Sequence, residues 1–338
     1  MRRAARQLAA AFAAAALAVP CPVFANDSTA ELATGGLIFV KNPNVAMRSE
    51  RLSISPAEIR VRYVFANTAG QDITSTVAFP MPDIAFEGPD DNIAIPDTKS
   101  PNLLAFSTVV DGRPVTAQVE QKTIAKGVDQ TALLVRLGVP LAPYLPQTGA
   151  ALDRLPPAQW DELVRLGLAE VNEYDAGKGM QKHLEPRWTF KETYFWQQTF
   201  PAGREIVIEH RYKPSLGGSV QTSLGEPNWD GLAEYRRKYC IEDDLLAAIG
   251  RARQAAHTTY GGSFSEQRIA YVLKTGANWA GPIGDFTLTV DKGAPNNLVS
   301  FCATGVKKTG PTRFEVHYSD YTPAADLAIL LLQPLPRR

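Results

Sequence analysis

The chain has 338 residues and a mass of 36.8 kDa, with 35 Lys+Arg balanced by 35 Asp+Glu and 45% hydrophobic residues. This is the composition of a folded globular protein; a disordered chain is poorer in apolar residues and usually carries more net charge. Zero net charge argues against a general nucleic-acid binder, three cysteines exclude a disulfide-dense miniature scaffold, and the length leaves room for two domains with a sizeable core.

Met1-Arg2-Arg3-Ala4-Ala5-Arg6 precedes twelve apolar residues, 8–19, and then Pro20, Cys21, Pro22, Val23, Phe24 and Ala25. A basic start, a short apolar run and small residues at its exit are the parts of a secretory signal peptide. Twelve residues are too few to span a hydrocarbon core, which takes roughly 20. Cleavage is expected after Ala25; a lipoprotein reading of Cys21 is disfavoured by Pro20, which stands where a small residue is needed. Removing 25 residues, three of them Arg and none acidic, leaves 313 residues with 32 basic against 35 acidic groups, a net charge of −3. Cys240 and Cys302 then remain as an even pair, which in an exported protein predicts a disulfide, with two buried thiols as the alternative. No later stretch reaches 18 apolar residues, so no membrane span is expected after cleavage, and the product is expected to be soluble, in the periplasm or outside the cell.

Residues 36–140 read as strands. Ile59, Val61, Tyr63 and Phe65 share one face while Arg60 and Arg62 point the other way, the period of a half-buried strand. A second alternation, Ile73, Val77 and Phe79, is ended by Pro80 and Pro82. Phe106, Thr108 and Val110 run into Asp111-Gly112, a hairpin turn, and residues 133–137 read as another short strand. Residues 141–187 are expected to be a helical insertion, since Trp160, Leu163, Val164 and Gly167 follow Pro156-Pro157 at helical spacing. From 188 the parity of Trp188, Phe190, Tyr194, Trp196 and Phe200, the turn at Pro201-Ala202-Gly203 and the answering face of Ile206, Ile208, His210 and Tyr212 predict an aromatic hairpin. Residues 213–228, rich in Gly and Pro, are the best linker. An amphipathic helix is expected over about 242–257, with Glu242, Asp243 and Asp244 placed to favour its dipole. Strands are expected at 268–274, 284–290, 298–302 and 312–318, and a last one, 327–332, buried on both faces.

The search for chemistry is mostly negative. His183, His210, His257 and His317 are far apart in sequence, and no H-E-x-x-H, C-x-x-C, Walker A or G-x-S-x-G is present, so no catalytic residue, metal ligand or cofactor is assigned. His210, in an apolar stripe, reads as a packed core histidine. Asp83, Glu87, Asp90 and Asp91 read as a solvated acidic loop, with a calcium site as the alternative. Arg236-Arg237-Lys238 reads as neutralised surface. Trp229 and Trp279 stand beside Gly/Pro turns; such rings commonly plug the end of a β-sandwich, and an interface aromatic is the functional alternative, so these two are the candidate binding residues.

Asn26-Asp27-Ser28, Glu31-Leu32, Gly35-Gly36-Leu37, Phe39, Ile54-Ser55-Pro56, Val61-Arg62-Tyr63, the 78–84 stretch and residues 279–286 resemble an exported bacterial family, the domain-of-unknown-function family 4424. That resemblance covers nearly all of the chain after residue 25; it implies export and architecture and brings no reaction or catalytic residues. Phe65-x-Asn67, Val77-x-Phe79-Pro80-x-Pro82 and Asp111-Gly112-Arg113 are similar, more weakly, to the vault/inter-alpha-trypsin domain, a β-sandwich associated with protein interaction. The resulting expectation is a mainly-β protein. Residues 26–217 form a β-sandwich with a helical insertion, and residues 218–338 form a smaller β-rich domain with one amphipathic helix. Its expected role is non-enzymatic binding of a protein or envelope component, with a hydrolase of envelope or extracellular polymers or a secreted effector as alternatives.

Overall fold

The computed structural model describes residues 28–33, 36–85, 92–100, 102–175, 177, 179–255 and 264–335. The expected signal peptide, Glu87, Asp90, Asp91 and His257 lie outside the described residues. The architecture is mainly β.

Two large sheets face each other. An eight-stranded sheet carries, in order, Lys307–Lys308, Arg313–Tyr321, Ile283–Asp291, Val45–Ile54, Ile59–Asn67, Glu205–Tyr212, Ser107–Val110 and Arg113–Val115. A seven-stranded sheet is built on Thr189–Phe200, which is flanked by Gln118–Ala125 and Ile73–Pro80. Their inner faces alternate as the sequence does. Val61, Tyr63, Phe65, Ile206 and Ile208 of one sheet meet Val77, Phe79, Trp196 and Phe200 of the other in one buried cluster. A third, five-stranded sheet includes Leu327–Pro334, Phe264–Tyr271 and Leu216–Ser219; Leu330, Leu331 and Leu332 are buried in succession, as expected of a strand covered on both sides.

Several expectations are corrected. Thr189–Phe200 and Glu205–Tyr212 form no hairpin. The first pairs with Ile73–Pro80 and Gln118–Ala125, the second with Ile59–Asn67 and Ser107–Val110. The Pro201-Ala202-Gly203 turn instead carries the chain from one sheet to the other, so the two aromatic faces meet across the core, with the Trp196 and His210 rings 5.3 Å apart. Alternation identifies the buried face but not the hydrogen-bonded neighbour. The run at 133–137 belongs to a helix, Thr131–Arg136, rather than a strand. A strand would have put residues 133, 135 and 137 on one face, whereas Leu133 and Leu134 are buried and Val135 is 62% exposed. The insertion is only half helical. Helices Pro146–Asp153 and Pro157–Leu166 pack on Leu168, Leu184 and Trp188, and the second ends at Gly167, whose φ of 76° is the left-handed cap. Ala169–Asp175 and Met180–Pro186 then pair as a hairpin of their own.

Strands from both sides of residue 217 share sheets. Ile283–Asp291 lies parallel to Val45–Ile54, and Leu216–Ser219, inside the expected linker, pairs with Phe264–Tyr271. The parallel pair is close: a Cβ on Gly284 would sit 2.7 Å from the Arg48 carbonyl oxygen, which reserves that position for glycine. The helix Asp243–Ala255 matches the amphipathic expectation, with Asp243 and Asp244 in its first turn, and a shorter helix, Leu232–Tyr239, precedes it. Cys240, at the end of that short helix, is bonded to Cys302, just beyond the strand Leu298–Phe301, with Cα atoms 5.0 Å apart.

Candidate functional site

Among the residues singled out from the sequence, Trp279 is 4% exposed and its ring lies 4.5 Å from Phe65 and 5.8 Å from Phe200, closing one end of the sandwich core. Trp229 is half-buried, edge-on to Tyr235 at 4.8 Å, and packs with the helix Leu232–Tyr239. The two rings belong to different clusters and form no shared surface. His210 is buried among Phe79, Phe106 and Trp196, with its Nδ1 hydrogen-bonded to the Thr108 hydroxyl. His317 is on the exposed face of the eight-stranded sheet, 3.8 Å from Asp285, and His183 sits against Asp153 at 2.8 Å in the insertion. The three described histidines are therefore dispersed. Among the described residues, no group of three or more His, Cys, Asp or Glu is placed to hold a metal, and no helix is long and apolar enough to cross a membrane.

Three carboxyls are buried among the described residues, those of Glu50, Glu192 and Glu266. Glu266 accepts hydrogen bonds from Thr222 at 2.6 Å, Tyr235 at 3.0 Å and Arg268 at 3.1 Å, a neutralised clamp between the third sheet and the helix Leu232–Tyr239. Glu192, 4% exposed on the inner face of Thr189–Phe200, accepts from Gln121 Nε2 at 2.9 Å and lies 3.1 Å from the Tyr194 hydroxyl. Burial pushes its pKa up to about 7, against the lowering effect of the Gln121 and Tyr194 hydrogen bonds. The Tyr194 hydroxyl has one hydrogen to share between two acceptors, Glu192 Oε2 at 3.1 Å and Asn102 Oδ1 at 2.8 Å.

The feature the sequence search missed is on the outer face of the eight-stranded sheet. A groove of about 500 Å³ is lined by Arg51, Ser53, Arg60, Arg62, Ser107, Val109, Glu209 and Arg211. The alternation that buries Ile59, Val61 and Tyr63 turns Arg60 and Arg62 outward, and the same parity exposes Arg51 and Arg211 on the two flanking strands. Register then fixes two rows. Arg51 stands opposite Arg62, which stands opposite Glu209; Ser53 stands opposite Arg60, which stands opposite Arg211. Glu58 bridges Arg60 and Arg211, and Glu209 approaches Arg62 only to 3.7 Å. Four guanidiniums thus face two carboxylates. The local sign is positive although the whole chain is neutral, and guanidinium forks suit planar or tetrahedral anions. The 59–65 alternation already placed Arg60 and Arg62 on a solvent face; only strand pairing could bring Arg51 and Arg211 beside them. A second, shallower depression near the Ser28–Ala33 strand has only Glu31 and Lys41 as charged lining groups.

No curated protein matches the chain. A crystal structure of a protein of Legionella pneumophila, described as a candidate nutrient-binding protein, is similar to it at 18% identity and a TM-score of 0.43, over 91% of this chain and 70% of that one. The family model described as Domain of unknown function (DUF4424) matches residues 25–330, and the chain belongs to that family.

Proposed function

We propose that this is an exported, non-enzymatic binding protein of the periplasm or the secreted fraction, and that its ligand site is the arginine groove. One observation carries the reading: Arg51, Arg60, Arg62 and Arg211 converge from three strands on one groove of about 500 Å³, outnumbering its acids. Guanidiniums stay protonated at any physiological pH, so this set holds an anion but exchanges no proton with it, which favours binding over acid–base catalysis. Export is supported by the basic-then-apolar pattern of residues 1–25 and by the Cys240–Cys302 bond, a linkage that persists in oxidising compartments.

Two measurements test these statements. The purified protein is expected to gain about 2–4 °C in melting temperature in inorganic phosphate at roughly ten times its Kd, and a double variant Arg51→Gln/Arg62→Gln is expected to gain nothing. A wild-type protein indifferent to phosphate, sulfate and tripolyphosphate overturns the groove as a ligand site. N-terminal sequencing of protein recovered from cells expressing the full chain is expected to begin at Asn26. Intact Met1 on protein retained in the cytosol contradicts export.

A further inference from the structure

The register of the groove bears on how many anionic groups its ligand carries, an inference that rests on the reading of the groove as an anion site. Arg51 and Arg62 are directly opposite each other on adjacent strands, and so are Arg60 and Arg211. Cross-strand neighbours have Cβ atoms about 5 Å apart, and like charges in that relation repel. The two pairs are consecutive rows of the same sheet face, about 7 Å apart along the strands. A sheet designed for stability alone would place an acid opposite each arginine. Here Glu58 is shared between Arg60 and Arg211, and Glu209 is the one acid beside the other pair. With one carboxylate for two guanidiniums, each row keeps an excess positive charge; one small anion offsets the excess of one row, and offsetting both takes two anionic groups.

The rest of the surface narrows the chemistry. Ser53 and Ser107 flank the Arg60–Arg211 row, and Thr287 stands opposite Arg51 on the neighbouring strand, so hydroxyls surround the guanidiniums. Such a mixture of forked cations and hydroxyl donors fits phosphate oxygens. His210 is the one aromatic among the lining residues, and its ring is buried against Phe79, Phe106 and Trp196 in the core, so a nucleobase has no exposed platform to stack on. We propose that the groove binds a ligand bearing two phosphate groups, one seated between Arg51 and Arg62 and the other between Arg60 and Arg211. Two sources share that chemistry: a soluble oligophosphate and the doubly phosphorylated headgroup of an envelope lipid.

The test is titration calorimetry of the mature protein with inorganic phosphate and with tripolyphosphate at fixed ionic strength. Tripolyphosphate is expected to bind at least tenfold more tightly, because its second phosphate engages at high effective concentration. Arg51→Gln/Arg62→Gln and Arg60→Gln/Arg211→Gln are each expected to bring tripolyphosphate back to within threefold of phosphate, since either change removes one of the two seats. A charge-matched control, Arg136→Gln/Arg154→Gln at the exposed C-terminal ends of the helices Thr131–Arg136 and Pro146–Asp153, is expected to keep the tenfold ratio. Circular dichroism and melting temperature verify that each variant is folded. If phosphate and tripolyphosphate bind the wild type equally well and both double variants lose them, the groove is a single-anion site and the two-phosphate inference falls while the reading of the groove stands. If the control loses the ratio as much as the groove variants do, the preference is net charge alone and the inference also falls. If neither ligand binds, both fall. Co-sedimentation with vesicles containing a bisphosphorylated phosphoinositide, competed by tripolyphosphate, identifies the lipid source; tripolyphosphate binding without co-sedimentation identifies the soluble one.

Discussion

Replacing Cys240 and Cys302 together by Ser is expected to lower the unfolding free energy by about 4 kcal/mol. The bond closes a chain segment with a sequence separation of 62, and a loop of that size loses on the order of 4 kcal/mol of denatured-state entropy when cross-linked. The bond joins the end of the helix Leu232–Tyr239 to the end of the strand Leu298–Phe301, so it tethers the helical layer to the third sheet. Tyr239, Ile241, Ile249, Phe264 and Leu330 pack together beside it, and Ser300 Oγ donates to the Tyr239 carbonyl at 2.9 Å. The measurement is chemical denaturation of the oxidised wild type against the double variant, at pH 7 without reductant. A difference below about 1 kcal/mol contradicts the expectation. The strands bearing Arg51, Arg60, Arg62 and Arg211 contain neither cysteine, so phosphate binding is expected to survive in the folded variant.

The second large effect is a pH dependence carried by Glu192. Its unfolded pKa is near the model-compound value of 4.5 and its folded pKa is about 7, because desolvation outweighs the hydrogen bonds from Gln121 and Tyr194. The folded state therefore holds a proton that the unfolded state has lost between those two values, and stability falls as pH rises. The contribution is fully present below pH 4.5, declines through the interval and is gone above about pH 7. Its size is about 3 kcal/mol, on the scale of 1.36 kcal/mol per pKa unit. The titratable side chain in contact with it, Tyr194, stays protonated through this interval, since burial and the Glu192 charge both raise its pKa. Glu192→Gln is expected to be more stable than wild type at pH 8, and its urea midpoint is expected to change less than that of wild type between pH 5 and pH 8. Parallel pH profiles for the two proteins would refute this assignment.

Much of the fold is legible in the sequence because burial of a strand is written two residues at a time. Ile59 to Phe65, Val77 to Phe79, Phe190 to Phe200 and Ile206 to Tyr212 all bury the face their alternation names. What alternation omits is the partner strand. The aromatic segments on either side of Pro201 therefore read as a hairpin, although each is built into a different sheet. Length limits the reading elsewhere. Six residues from Thr131 carry too few apolar positions to separate a period of 2 from one of 3.6, and the helix there is settled by its packing on Leu152, Leu163 and Trp188. The disulfide was legible from the even cysteine pair left after residue 25.

The arginine groove was half legible. Arg60-x-Arg62 stands out as an outward face in any reading of the Ile59–Asn67 strand. Arg51 and Arg211 lie 9 and 151 residues from Arg60, and they join it only because Val45–Ile54 and Glu205–Tyr212 are its two ladder neighbours. Trp229 and Trp279 are large rings beside turns, but Trp279 serves the core and Trp229 the packing of a helix. A residue type marks chemistry only where the fold gives it an open face.

Anion binding by this protein is proposed at the outer face of the eight-stranded sheet. Its most direct test is the NMR spectrum of the arginine Nε–Hε groups during titration with tripolyphosphate. The signals of Arg51, Arg60, Arg62 and Arg211 are expected to shift together and saturate with one binding curve, while those of Arg136 and Arg154 stay still. Saturable binding that leaves those four signals in place would contradict it.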